Sequence, residues 1–207
     1  MKPGRLITLE GIEGAGKSTA VQVVAQWLDA RGIKARVTRE PGGTPLAERV
    51  RQIVLEHGTE NVTPQAETLL MFAARSIHLE NLIRPALAGG AWVVCDRFTD
   101  ATRAYQGAGR GVDLEWIEQL AHAVHGDLNP DCTLLLDLPV GVGLDRARRR
   151  SGHAADRFEA EREEFFERVR RGYLDIARAD PARVRVIDAS ASISEVAAQV
   201  GRVLESL

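Results

Sequence analysis

Lysine is nearly missing from this chain of 207 residues: it stands only at positions 2, 17 and 34, and the other basic residues are arginines. None of the three follows an asparagine, so the guanine-reading N-K-x-D element of a GTPase switch is excluded. Cysteine occurs twice, as Cys95 and Cys132, each inside an apolar run. Two buried thiols are expected rather than a disulfide, which fits a reducing cytoplasm. No apolar run approaches the ~20 residues that cross a bilayer. The opening MKPGRLITLE has no signal-peptide apolar region. A cytoplasmic protein without a membrane partner is therefore expected. An excess of one charge is lacking as well: the net charge of −2 offers no general surface for nucleic acid. The 5 histidines make no ligand set. His122 and His125 share a helical face without a carboxylate or cysteine to complete a metal site, so a solvated or packed pair is expected.

What is present is ordinary globular composition, 44% hydrophobic and 27% charged. The length suffices for a real core. No repeat, low-complexity tract or linker interrupts it, which predicts a single domain over 1–207.

The most informative stretch is Gly11 to Thr19, GIEGAGKST. It follows the apolar run Leu6-Ile7-Thr8-Leu9 and opens into Val21, Val24, Ala25 and Leu28 at helical spacing. Gly11, Gly16, Lys17 and Ser18 match the phosphate-binding loop G-x-x-x-x-G-K-[ST] in its required strand–helix context. Glycines let backbone N–H groups close around phosphate oxygens, and the helix N-terminus adds partial positive charge. ATP is thus expected on Gly11, Ile12, Glu13, Gly14, Ala15, Gly16, Lys17, Ser18 and Thr19. Lys17 would reach the β- and γ-phosphates, and Ser18 would hold Mg²⁺.

Further along, apolar runs at 33–38, 91–96, 132–138 and 184–187 read as strands separated by helical patterns. One helix is expected from the N-cap Thr63 and Pro64 to Leu87, ending at Gly89-Gly90. Another stretch is helical through Tyr105, before a loop at 106–111. The pattern predicts an α/β fold: a five-stranded parallel sheet flanked by helices on both faces, of the P-loop NTPase kind. Ligands of such sheets sit at the strand C-terminal ends. Asp96 ends one strand and is a candidate to share the Mg²⁺ shell with Ser18; the competing reading is a charge at a helix start. Arg97 beside it could grip a second phosphate as a bidentate fork. Arg146 to Arg157 joins basic charge to a Gly/Ala-rich break, as in a lid, about 146–158, that closes on phosphates. A solvated helix face is the competing reading there.

Taken together these residues resemble thymidylate kinase of the bacterial type. LEGIEGAGKST (9–19), TREPGGTPLAERVR (38–51), CDRF (95–98), AYQGAGRG (104–111) and DRFE (156–159) carry the resemblance, which spans nearly the whole chain. It implies transfer of the γ-phosphate of ATP to dTMP, giving dTDP on the way to dTTP, and a homodimer. It places Glu13 at the sugar 3′-hydroxyl and Arg51 and Arg97 on the monophosphate. Arg75 and Gln106 would read the thymine edge, Thr102 would line the base pocket, and Tyr105 would crowd the sugar 2′ position. Arg149 and Arg157 of the lid join Lys17 and Arg97 as candidate catalytic residues. Where one subclass carries Arg in the loop, this chain has Gly14, so the lid supplies that charge. The family usually places Phe four residues before the base-reading Arg. Here Met71 stands there with Phe72 next to it, and either could pack on the base. The acceptor is a phosphate oxygen, mostly dianionic at neutral pH, so no general base is required. A kinase for another nucleotide or a deoxynucleoside, and a nucleotide-dependent switch, are the alternatives.

Overall fold

The computed structural model of the chain describes residues 4–56, 60–150, 158 and 161–207. Runs of branched and apolar residues form strands β1 (Leu6–Glu10), β2 (Ala35–Arg39), β3 (Trp92–Asp96), β4 (Cys132–Asp137) and β5 (Val184–Asp188). They pair in the order β2-β3-β1-β4-β5, every pair parallel. The burial follows from that order. The central strand β1 is buried at every position, while the edge strands β2 and β5 alternate with exposed residues such as Val37 and Val186. The register sets Leu9 beside Asp96 and Glu10 beside Leu135, so the ends of β1, β3 and β4 open onto one crevice. The order reverses around β1, which puts the crevice at the switch point where ligands bind in such sheets.

Helices cover the sheet: α1 (Lys17–Asp29), α2 (Pro45–Leu55), α3 (Pro64–His78), α4 (Arg84–Ala88), α5 (Thr99–Thr102), α6 (Leu114–His125), α7 (Val140–Arg150), α8 (Glu163–Ala179) and α9 (Ile193–Glu205). Their starts are written locally. The Thr63 hydroxyl accepts from the Ala66 N–H at 3.2 Å, and Asp113 accepts from Glu115 N–H at 2.9 Å. Ser192 and Glu195 form a capping box. α1 packs Ala20, Val21, Val24 and Leu28 into the core. Its own N-cap is Gly16 at φ 88°, with no side-chain cap, so the first-turn N–H groups are left for a ligand.

Two expected helices take a different form. The helix expected from 63 to 87 widens into a π segment at 79–83 before α4. Pro85 has no N–H to give to the Asn81 carbonyl, so the ladder loosens there. The expected loop at 106–111 is instead π-helical from 103 to 109. Its small residues let it press onto neighbours: a Cβ on Gly109 would lie 2.6 Å from the Phe165 ring of α8, and one on Gly107 2.6 Å from Leu114. This close packing turns Tyr105 and Gln106 inward, both nearly fully buried. Cys95 and Cys132 are buried free thiols. His122 is exposed, and His125 is buried, 3.0 Å from the Thr99 hydroxyl and against the Phe98 ring. Burial, reinforced by Arg75 and Arg103, pushes His125 down to about 4, so it packs as a neutral ring.

Candidate active site

A cavity of about 450 Å³ opens where β1, β2 and β3 end. One part is built on the loop before α1. Glu13, Gly14, Gly16, Lys17 and Ser18 line it. Ile12 and Ala15 are buried instead, so they anchor the loop in the core and offer only backbone to a ligand. Gly11, buried at φ 138°, and Thr19, exposed on α1, lie outside the lining. The Lys17 ammonium curls back onto the Gly11 and Ile12 carbonyls, each at 2.9 Å. Burial and the nearby Arg97 charge lower Lys17 to about 8, so the group is primed for an anion that restores its charge. Gly14 explains its own identity. At φ 71°, a Cβ there would fall 1.9 Å from the Gly143 carbonyl oxygen of α7.

Between the loop and the rest stands a side-chain cluster. Arg97 holds φ 71°, the only non-glycine residue with positive φ among the described residues. Such strain costs of order 1–3 kcal/mol and persists only where surroundings dictate it. Here they do. Arg97 Nη2 donates to Glu13 Oε1 at 2.9 Å and to the Tyr105 hydroxyl at 3.0 Å, and Nη1 donates to Tyr173 at 3.2 Å. Tyr105 donates to Glu13 Oε2 at 2.5 Å and Tyr173 to Glu10 Oε2 at 2.7 Å. Burial holds both phenols protonated well above their ordinary range. The rings of Phe158, Phe165 and Tyr173 stand edge-on around Tyr105 at 6.0–6.2 Å. Glu10 also accepts from the Phe98 N–H. Burial, then repulsion from Asp100, pushes it up to about 8.

The deepest part belongs to Arg75, only 3% exposed. Its Nε donates to Glu40 Oε2 at 2.7 Å, and its Nη2 to the Phe98 carbonyl and the Thr102 hydroxyl, each at 3.1 Å. Nη1 is buried with no hydrogen-bond partner. Thr102 and Gln106 line the same wall, Gln106 tethered by its amide to Glu67 Oε1 at 2.8 Å. Asp96 Oδ1 is a second buried atom without a partner. Arg51 reaches the cavity with Nη1 on the Pro41 carbonyl at 2.9 Å.

The structure separates Met71 from Phe72. Met71 lines the cavity, whereas Phe72 is buried with Val112, Ile117 and Ala121 on the other side of α3. The neighbours point about 100° apart on the helix, so only one can face a base. Arg149 is exposed on α7 and does not line the cavity, and Arg146 Nη1 is bound to the Ala189 carbonyl at 2.8 Å. Arg157 lies outside the described residues. Sequence reasoning missed Glu10, Glu67 and Tyr173 as members of the site. Glu40 and Phe158 stood in the TREPGGTPLAERVR and DRFE stretches without roles of their own.

Comparison with known proteins gives a consistent result. The family model described as Thymidylate kinase matches residues 9–200. The thymidylate kinase of Methylococcus capsulatus (strain Bath) is 55% identical over 207 residues, covering 100% of this chain and 98% of its own. That of Chromohalobacter salexigens is 56% identical over 201 residues, covering 97% of this chain and 94% of its own. Among solved structures, the crystal structure of thymidylate kinase from Ehrlichia chaffeensis matches with TM-score 0.79 and 35% identity, covering 98% of this chain and 100% of that one.

Proposed function

The chain belongs to the thymidylate kinase family and phosphorylates dTMP to dTDP with ATP as donor, and from that premise we propose how its cavity divides the work. The loop 11–19 holds the ATP phosphates through backbone N–H groups and Lys17. The acceptor nucleotide occupies the part lined by Arg75, Thr102, Tyr105 and Gln106, with Met71 against the base as a polarizable thioether. Arg97 and Arg51 meet its phosphate, and Glu13 the sugar. The observation that carries this division is the unpartnered Arg75 Nη1. A buried donor left unpaired costs about 1–3 kcal/mol, so it awaits an acceptor that the ligand brings. A pyrimidine with carbonyl edges supplies one.

Two polyanions must be brought together, and their repulsion is the main barrier. Arg97, locked by Glu13 and Tyr173, is pre-set to take anionic oxygens without reorganising. The phosphate acceptor needs no base, because its second pKa is near ~6. The donor set also suits a divalent cation: a buried, unpartnered Asp96 oxygen and the exposed Ser18 hydroxyl at the start of α1. Asp96 and Ser18 would hold Mg²⁺, which when bound supplies charge neutralisation on the ATP phosphates. Arg149 and Arg157 remain the proposed source of lid charge over the transferring phosphate.

Three broader features complete the proposal. Residues 1–207 act as one kinase domain. The protein pairs as a homodimer through helices: Leu46 and Ile53 of α2, Leu69 of α3 and Leu114 of α6 are exposed apolar side chains that a second copy would cover. It works in the cytoplasm, consistent with two reduced thiols and with no described helix long and apolar enough to cross a membrane.

The test is ADP release across dTMP, dUMP, dCMP and thymidine. We expect dTMP to lead by at least about tenfold in kcat/KM and thymidine to be inert, because Arg51 and Arg97 would lack an anion to bind. Equal turnover of thymidine would overturn the assignment of those arginines.

A further inference from the structure

Arg75 is held by a chain of buried polar groups that runs away from the cavity to β2. Glu40 Oε2 takes the Arg75 Nε–H at 2.7 Å. The other oxygen, Oε1, lies 3.0 Å from His78 Nδ1, and His78 Nε2 lies 2.7 Å from the Thr38 hydroxyl. Glu40 and His78 are 3% and 0% exposed. His78 does not line the cavity, so any effect on a ligand must pass through Glu40 and Arg75.

The geometry of that carboxylate decides what Arg75 can do. An unconstrained Glu–Arg pair favours the bidentate fork, two parallel N–H···O bonds. A fork here would use Nη2 of Arg75 as well as Nε. With His78 on Oε1, Glu40 meets the guanidinium through Nε alone. Nη2 is then fixed by Phe98 and Thr102, and Nη1 stays without a partner. The Arg39–Thr44 turn is shaped around this chain. Gly43 sits at φ 86°, its N–H held by Glu48 Oε1 at 2.8 Å. A Cβ on Gly43 would fall 2.4 Å from both His78 Nε2 and Thr38 Oγ1.

The same place gathers Glu40, His78 and Cys95 with ligand atoms within 4.8 Å of one another, which raises a metal reading. Each of those atoms is already engaged. The Cys95 thiol donates to the Arg97 carbonyl at 3.0 Å, and burial pushes its pKa well up, away from the thiolate that a metal needs.

We propose that His78 is a positioning residue for base selection: by occupying one oxygen of Glu40 it keeps Nη2 of Arg75 out of a closed fork and on Phe98 and Thr102, which fixes the guanidinium as a donor to the base. The inference rests on Arg75 reading the base. The donor selects a pyrimidine with a carbonyl at the recognised edge over one with an amino group there.

The test compares kcat/KM for dTMP with that for 5-methyl-dCMP, which exchanges the C4 carbonyl for an amino group. His78→Phe fills the space without a polar atom. It should lower the ratio about tenfold, through a raised KM for dTMP, while the KM for ATP stays within about twofold. His78→Asn places an amide nitrogen near the Nδ1 position and should recover at least about half of that loss on a logarithmic scale. Thr38→Val, at the far end, should lower the ratio about two- to fourfold. Arg75→Met is the control. If it collapses the ratio while His78→Phe leaves it within about twofold of the parent, His78 has no positioning role and the base-reading assignment stands. If Arg75→Met leaves the ratio unchanged, the base-reading assignment falls and the proposal with it. Should His78→Phe not fold, an unchanged ratio in Thr38→Val overturns the proposal.

Discussion

The two halves of the cavity are built from different materials. The half proposed for the donor is backbone: a glycine-bearing loop, an uncapped helix start and one lysine resting on carbonyls. The half proposed for the acceptor is side chain: Arg97, Glu13, Tyr105, Tyr173 and Glu10 in one network, Arg75, Glu40 and His78 in another. Triphosphates are alike in every nucleotide, so peptide N–H groups suffice to hold them. A base and a deoxyribose must be told apart, and that requires donors and bulk fixed at particular points. The acceptor half should therefore carry stability as well as selectivity, whereas the donor half should carry rate with little effect on the fold.

The sharpest way to break this contrast is Lys17→Ala. Loss of one preorganised cationic donor should lower kcat about 10²- to 10³-fold. The KM for dTMP should stay within about threefold, and the melting temperature should not fall, since an ammonium of depressed pKa opposes folding. Retention of a third of parental activity, seen in a coupled ADP assay, would remove Lys17 from the mechanism. Tyr105→Ala should act in the other half and in the other manner. The preference for dTMP over its ribonucleotide should shrink about tenfold. Loss of the ring from among Phe158, Phe165 and Tyr173 should also cost about 3–5 kcal/mol of stability, measured by denaturant titration. An unchanged deoxy-to-ribo ratio would deny Tyr105 the gating role.

Two pH experiments are finer. With Lys17 near 8 in the free protein, ATP binding must draw in a proton once pH exceeds that value. ATP affinity should be nearly full below pH 7 and weaken about tenfold between pH 7 and 9, with proton uptake seen by calorimetry in two buffers. A flat profile would place Lys17 away from the phosphates. Smallest is the effect of Glu10, whose folded pKa of about 8 lies above its unfolded value of 4.5. The folded protein keeps a proton that the unfolded chain releases, so stability is lost as pH rises from 4.5 through 8. Glu10→Gln removes that term, so its melting temperature relative to the parent should rise between pH 5 and 8. Parallel curves would show that Glu10 is ionised throughout.

The same contrast governs how much could be read without coordinates. The loop is contiguous, and each residue's task follows from its place between strand and helix, so GIEGAGKST was readable as chemistry. The strand pattern was readable too, because parallel strands buried on both faces are continuous apolar runs. The acceptor half joins residues far apart in the chain. Glu10 and Tyr173 bond across 163 positions, a pairing that no local pattern announces. Glu40 stood in the TREPGGTPLAERVR stretch without a role of its own, because its partners, Arg75 and His78, come from a helix that periodicity describes only as amphipathic. The π segments left no periodic trace either. Pro85, Gly107 and Gly109 were visible, but what they pack against is a tertiary fact.

The contact between Gly14 and Gly143 limits the paths open to this lineage. A cation at position 14 is one way to place positive charge beside the donor phosphates, and here its first carbon would overlap the backbone of α7. Position 143 is closed from the other side, since a Cβ there would come within 2.7 Å of the Glu13 carbonyl. A single substitution therefore cannot place a side chain in the loop at position 14. The change would need α7 to shift first, and α7 carries Arg146, Arg148 and Arg149, where the proposed lid begins. The proposed lid charge and a loop charge are thus separated by a steric barrier, and going from one to the other would require reshaping a helix.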